Sequence, residues 1–358
     1  MSEPLAPGST IGILGGGQLG RMLSVAAARL GYMTHIYEPG AGPPAGQVAH
    51  RVTTAEYDDT AALATFADSV DVITYEFENI PTDALDLLEA HRPIHPGRRA
   101  LGISQDRLTE KEFLQGLGLK TAPFADIAGR ADLTRALADI GTPAILKTRR
   151  FGYDGKGQVR LTDPSQADAA LADLQGAPAI LEGFVDFSHE VSVIAARGLD
   201  GAVAAFDPGE NVHRDGILRT TTIPARLTPG QRTDAILLAA NILNALDYVG
   251  VLGVELFVTP QGLIVNEIAP RVHNSGHWTQ NGTAVDQFEQ HIRAIAGWPL
   301  GDGQRHSDVV MENLIGDDIA RLPDLARDTQ TAIHLYGKAQ ARAGRKMGHI
   351  NRIRGPKP

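Results

Sequence analysis

Cysteine is absent from all 358 residues, which excludes disulfides, thiolate metal sites and a cysteine nucleophile. An excess of positive charge is missing as well. The formal net charge is −9, which argues against bulk nucleic-acid binding while leaving local basic sites open. No apolar run approaches the ~20 residues needed to span a bilayer; stretches such as residues 236–246 stop well short. A secretory leader is not expected either, because the first basic residue is Arg21 and glycines break the early apolar run. Internal repeats and low-complexity segments are lacking. What remains is 43% hydrophobic and 21% charged, ordinary for a globular protein and long enough for two or three domains. The expectation is a cytoplasmic enzyme with no membrane and no nucleic-acid partner.

Residues 13–22 read ILGGGQLGRM and space Gly15, Gly17 and Gly20 as a G-x-G-x-x-G turn between an apolar strand and a helix. Glu38 stands about 20 residues on, where dinucleotide-binding folds often hold a ribose hydroxyl. The turn suits NAD or some other ligand. Strands at 11–14, 34–37 and 70–75 alternate with helices at 19–30, 60–67 and 82–91, a pattern that predicts a parallel sheet covered on both faces. HRPIHPGRR closes this unit, and a polar helix over 105–117 leads onward. A compact unit follows: helix 133–140, strand 144–147, a glycine-rich loop, strand 158–161, helix 165–174 and strand 179–181. Strands at 190–196 and 202–206, a helix at 230–246, a hairpin at 251–258 and 263–268, and a helix at 285–296 come next. Short strands near 309–314 and 332–335 mark the tail.

The loop after strand 144–147 reads KTRRFGYDGKGQ. Gly152, Gly155 and Gly157 admit close backbone approach, and Lys147, Arg149, Arg150 and Lys156 supply cations, which together suit a polyphosphate. It lacks the P-loop order, and a solvated basic hairpin tip is the bland alternative. In the hairpin, Pro260, Gln261 and Gly262 suit a three-residue turn, which sets Glu255 opposite Glu267. Like charges facing across strands repel, and a divalent cation such as magnesium would relieve them. Two solvated glutamates, or a protonated pair, would read the same way. In NEIAPRVHNSGH, Arg271 could hold a small planar anion bidentately. His273 and His277 stand four apart, but Pro270 and Gly276 break any helical zinc geometry. YEFENIP closes the third parallel strand and puts Glu76 and Glu78 beside the glycine turn, where Glu78 or Asn79 could instead cap a helix. The tail carries Lys338, Arg345 and Lys346, good phosphate ligands or a solvated basic strip.

Taken together, these stretches resemble the ATP-grasp superfamily and, within it, the N5-carboxyaminoimidazole ribonucleotide synthases of purine biosynthesis. The likeness runs in order through ILGGGQLGRM, YEFENIP, SQDRLTEKEFL, KTRRFGYDGKGQ, EGFVDFSHEVSV, ENVHRDGIL, VLGVELFV, NEIAPRVHNSGHWTQNG and HLYGKAQARAGRKMGHIN. It spans residues 11–351. YEFENIP, NSGHWTQNG and RKMGHIN are particular to the family, whereas the hairpin glutamates belong to the superfamily.

The resemblance implies an α/β fold with three parts. These are an N-terminal parallel domain at 1–104, an ATP-grasp region at 105–292 with a small lid about 121–185, and a C-terminal domain at 293–358. It implies ATP between lid and hairpin, with Arg107 and Lys147 on the phosphates. Gly152, Tyr153, Asp154, Gly155, Lys156, Gly157 and Gln158 would close over them. Glu182, Gly183, Phe184 and Val185 would form the adenine edge, with Glu190 on the ribose and His213 nearby. Glu255 and Glu267 would hold magnesium, with manganese as an alternative and Asn266 beside them. Strict alternation turns Asn266 to the other face, so this role requires a local twist or bulge. Gln18, Leu19, Glu76, Asn274 and Ser275 would meet aminoimidazole ribonucleotide rather than NAD, and Lys338, Arg345 and Lys346 would take its phosphate. Arg271, His273 and Lys346 would hold bicarbonate and its phosphorylated form. A homodimer is also implied. Rivals are a formate-using transformylase, an NAD-dependent dehydrogenase and a nucleotide-sensing module.

Overall fold

The computed structural model describes residues 3–152 and 155–356. Its first unit is a parallel four-stranded sheet in the order Arg51–Thr53, Met33–Tyr37, Thr10–Leu14, Val72–Tyr75. Thr10–Leu14 is central because it is apolar on both faces, with Ile11, Ile13 and Leu14 fully buried. The chain order reverses on either side of it, so its carboxyl end opens a crevice. The glycine turn lies there and starts the helix Gln18–Arg29. Gly15 takes φ 96°, a conformation open to glycine at little cost.

The helix expected over 105–117 forms as Arg107–Gly116, after a separate helix Arg98–Ser104. Asp106 separates them, its Oδ1 accepting the Leu108 amide at 3.0 Å as an N-cap. The lid is an antiparallel sheet in the order Phe124–Ile127, Ala179–Gly183, Ala144–Thr148, Gln158–Leu161. Helices Arg130–Ile140 and Ala167–Asp173 pack Leu133, Leu137 and Ala170 onto its Leu146 and Leu181.

The remaining strands form one nine-stranded sheet. Its order is Gly262–Ala269, Gly250–Thr259, His189–Arg197, Gly209–Arg214, Ile217–Ile223, Ser307–Ile315, Lys346–Pro356, Thr331–Leu335, with Val203–Ala205 beside His189–Arg197. Strand His189–Arg197 shows why both faces are covered. Val191, Val193 and Ala195 pack against Ala235, Ala239 and Ile242 of helix Pro229–Ala245. Ile194 and Ala196 face Phe288 and Ile292 of helix Gln287–Ile295. Strands Phe124–Ile127, Gly209–Arg214, Ile217–Ile223 and Lys346–Pro356 go beyond the elements expected from sequence. Of the basic tail residues, Lys346 starts a strand that joins the sheet carrying the hairpin, while Lys338 and Arg345 lie in the loop before it. Among the described residues, no helix is long and apolar enough to cross a membrane.

Candidate active site

The hairpin places Glu255 opposite Glu267. The turn that does so differs from the one expected. Thr259 pairs with Gly262, so the loop has two residues, Pro260 and Gln261. Carried along the strands, that register would set Glu255 against Asn266. A bulge between Glu255 and Leu256 inserts Asn266 as an extra residue and restores the glutamate pairing. Asn266 thereby lines the same cavity as both glutamates. Burial, reinforced by Glu267, pushes the Glu255 carboxyl up to about 7. Burial acts on Glu267 too, but Arg107 and Lys147 outweigh it and hold that carboxyl below its usual range.

Arg107 is the first helical residue after Asp106, and its Nη1 stands 3.1 Å from Glu267 Oε2 while Nη2 donates to the Gly152 carbonyl at 3.3 Å. Lys147 Nζ, on the lid strand, donates to Glu182 Oε2 at 2.9 Å, and Lys111 Nζ lies 3.6 Å from the same oxygen. Burial, only partly offset by Glu182, lowers the Lys147 amine. Burial would raise Glu182, yet Lys147 and Lys111 hold it below the ordinary range. Of the other loop cations, Arg149 grips Asp106 through Nη2 at 2.8 Å and Arg150 donates to Gln105 Oε1 at 2.8 Å. They fasten the loop's base to the helix start. His213 Nδ1 pairs with Glu190 Oε2 at 2.6 Å. Burial disfavours the charged ring, but Glu190 and Glu255 outweigh it and raise His213. Phe184 is exposed beneath the Arg160 guanidinium, 4.5 Å from its ring centroid.

At the glycine turn, the buried Glu76 carboxylate accepts the amides of Gly17 and Gly20, the latter at 2.7 Å. Burial raises its carboxyl despite those amides. Glu38 is occupied by the Gly16 amide at 2.7 Å. Glu78 holds Arg271 bidentately, Oε2 to Nε at 2.5 Å and Oε1 to Nη2 at 3.0 Å. Burial would raise Glu78, but Arg271 keeps it low. The planar anion expected on Arg271 is thus, in this structure, a carboxylate of the chain itself. Burial, reinforced by the neighbouring Arg271, lowers the His273 ring to about 3 and keeps it neutral. Its Nδ1 accepts the Ser275 amide at 3.4 Å and stands 2.8 Å from Ser275 Oγ. The proton therefore resides on Nε2, 3.5 Å from Glu255 Oε1. Asn274 and Asn313 exchange amide hydrogen bonds, which anchors this loop to strand Ser307–Ile315.

One cavity of about 650 Å³ joins these groups. Its wall includes Gln18, Leu19 and Glu76; Arg107 and Lys147; Gly152, Gly155, Lys156 and Gln158; and Glu190 with His213. Glu255, Asn266, Glu267, Arg271, His273, Asn274 and Lys346 also line it, as do Glu78 and Glu110. Gly157, Glu182, Gly183, Phe184, Val185, Ser275, Lys338 and Arg345 stand outside that wall. Tyr153 and Asp154 lie outside the described residues. Lys338 Nζ donates to the Lys346 carbonyl at 2.7 Å, and Arg345 Nη1 donates to the Gln340 carbonyl at 3.0 Å. Sequence reasoning passed over Glu110, whose Oε1 accepts the Ile268 amide at 2.5 Å and which burial and Glu267 push up to about 8. It also passed over Lys111. Charged residues at helical spacing within SQDRLTEKEFL read as a solvated face, and only their tertiary burial reveals them.

Three family models match the chain in succession. They are a ribonucleotide synthetase preATP-grasp domain over residues 8–105, an ATP-grasp domain over 112–288, and a phosphoribosylaminoimidazole carboxylase C-terminal domain over 309–355. The fold is that of an ATP-grasp protein. A Brucella melitensis protein named N5-carboxyaminoimidazole ribonucleotide synthase is 58% identical over 353 residues, 98% of each chain. A solved ADP complex of N5-carboxyaminoimidazole ribonucleotide synthetase superposes with TM-score 0.95 at 43% identity, covering 99% of this chain and 94% of that one. The Aspergillus clavatus N5-carboxyaminoimidazole synthase, solved with ADP and 5-aminoimidazole ribonucleotide, gives TM-score 0.91 at 30% identity, covering 97% and 94%. The chain belongs to the N5-carboxyaminoimidazole ribonucleotide synthase family.

Proposed function

We propose that this chain is an ATP-dependent ligase that carboxylates the exocyclic amine of 5-aminoimidazole ribonucleotide, with bicarbonate as the carboxyl source and ADP and phosphate as products. The observation that carries this reading is the shared cavity. Its wall draws the glycine turn and Glu76 from the parallel sheet, the cations from the lid and the helix Arg107–Gly116, the carboxylates from the hairpin, and Lys346 from the C-terminal strand. Two substrates that must meet fit such a junction. The chain divides at about 104 and 292, in line with the three matched segments.

ATP binds with its phosphates toward Arg107 and Lys147, which offset charge as the terminal phosphoryl group leaves. Glu255, Glu267 and the Asn266 side-chain amide oxygen are hard donors on residues lining one cavity, and Glu255 is forced toward its neutral form without a cation. That set fits magnesium or manganese, which these residues would hold and which would supply neutralisation of phosphate charge. Bicarbonate attacks the terminal phosphorus and ADP leaves, giving carboxyphosphate; its carboxyl carbon then passes to the substrate amine, which loses a proton as inorganic phosphate is released. His273 presents Nε2–H to these oxygens, and Arg271 offers the guanidinium N–H groups not taken by Glu78 and the Val272 carbonyl. Lys346 adds a cation beside them. The ribonucleotide lies along Gln18, Leu19 and Glu76, with its phosphate toward Lys338 and Arg345. The enzyme works in the cytoplasm as a homodimer.

The experiment is phosphate release from ATP with bicarbonate and aminoimidazole ribonucleotide supplied singly and together. Full turnover only with both is expected. Turnover that needs formate instead, or that ignores the ribonucleotide, would refute the reading.

A further inference from the structure

Strand Gly262–Ala269 is an edge of the large sheet, and among the described residues its outer side meets only an isolated parallel bridge, Thr121 to Val265, rather than a further strand. Buried edges must be covered, because an unpaired buried carbonyl or amide is costly. Here the cover is the helix Arg107–Gly116 and the segment after it. The Val265 amide donates to the Lys120 carbonyl at 2.8 Å. Lys111 Nζ donates to the Asn266 carbonyl at 2.6 Å, and Glu110 accepts the Ile268 amide at 2.5 Å. Lys111 is 1% exposed and Glu110 is 3% exposed. Their two contacts bracket Glu267: one falls on the inserted residue Asn266 and the other on Ile268 just past the bulge that sets Glu267, rather than Asn266, opposite Glu255.

We infer that Lys111 and Glu110 are positioning residues that clamp this bulge and so hold Glu267 and Asn266 in the cavity. A ladder with an inserted residue leaves a carbonyl out of register, and Lys111 supplies the donor that a strand would otherwise give. The consecutive pair takes one acceptor and one donor from the same edge, which a regular strand partner would also do. The inference rests on the metal–nucleotide function proposed above. Lys111 also stands 3.6 Å from Glu182, which holds Lys147, so the test must separate the two effects.

The test is calorimetric titration of ADP into the wild-type protein, Lys111→Met, Lys111→Arg and Glu110→Ala. Each is run with magnesium and with EDTA, beside steady-state kinetics. Lys111→Met is expected to lose about tenfold or more of its ADP affinity in magnesium, as when support for a metal ligand is removed, and less than about threefold in EDTA. Lys111→Arg keeps a donor and should recover part of that loss. The KM for the ribonucleotide should stay within about twofold throughout, since its ligands lie on other elements. Glu110→Ala opens the other side of the clamp and should act in the same direction, which keeps the inference testable if Lys111→Met does not fold. Equal losses in magnesium and EDTA, or wild-type behaviour in a folded Lys111→Met, would overturn it. A wild-type protein whose ADP affinity ignores magnesium would overturn the metal reading instead.

Discussion

Glu76 Oε2 accepts the Gly20 amide at 2.7 Å, at the mouth of the helix Gln18–Arg29. A helix N-terminus is an anion site, and in dinucleotide folds a pyrophosphate sits there. Here a side-chain carboxylate of the chain fills it. NAD and NADP are therefore expected not to bind, and titration to millimolar concentration should show no saturation. Saturable binding that competes with the ribonucleotide would sink this. A Cβ on Gly17 would lie 2.5 Å from Glu76 Oε1, so Gly17→Ala should displace the carboxylate. It should raise the ribonucleotide KM and leave the ATP KM nearly unchanged.

Glu267→Gln is expected to abolish turnover, with Glu255→Gln acting similarly but less completely. Phosphoryl transfer without its cation loses several kcal/mol of transition-state stabilisation, on the order of a thousandfold or more in rate. Single-turnover ADP formation measures this. Near-normal rates in both variants would place the metal elsewhere.

In the tail, Lys338→Ala and Arg345→Ala are expected to raise the ribonucleotide KM about ten- to a hundredfold, the worth of a charge-assisted hydrogen bond. The ATP KM should hardly move. Lys346 lines the cavity beside His273, so Lys346→Ala should lower kcat as well. Steady-state kinetics with each substrate varied checks all three. Changes within about twofold for Lys338→Ala and Arg345→Ala would correspond to under ~0.5 kcal/mol and would make the tail a solvated strip.

Acid sensitivity follows from a histidine remote from the chemistry. His291 is fully buried, its Nδ1 accepts the Val251 amide at 3.1 Å, and burial lowers its ring to about 3. The unfolded ring protonates near 6.5, so below that pH the unfolded state binds the extra proton. Its stabilising effect is complete above about 6.5 and declines by ~1.4 kcal/mol per pH unit down towards the folded value. His35, lowered to about 4 by burial, acts in the same direction. Melting temperature should fall steadily from pH 7 to 5, less steeply in His291→Gln. A flat profile over that range would contradict the neutral, buried assignment.

Much of this architecture was legible from local pattern. The strand–turn–helix around Gly15, Gly17 and Gly20, the alternation that makes the first sheet parallel, and the glutamate-bearing hairpin depend on residues near each other in the chain. Turn chemistry and apolar periodicity encode such features directly. What they cannot encode is pairing at a distance. Strand Lys346–Pro356 read as a basic tail because its partners, Ser307–Ile315 and Thr331–Leu335, come from elsewhere in the chain. Strands Gly209–Arg214 and Ile217–Ile223 carry too many polar residues for periodicity to mark them, yet the sheet places them between neighbours on both sides. The bulge at Asn266 belongs to the same class. A two-residue turn alone would have paired Glu255 with Asn266, and the register that sets it against Glu267 is held by Lys111 and Glu110, more than 150 residues away in sequence. Identity and spacing determined which groups the chain could bring to a site. Tertiary packing decided which of them face one cavity, because strand register and burial are set by nonlocal contacts that no short window of sequence contains.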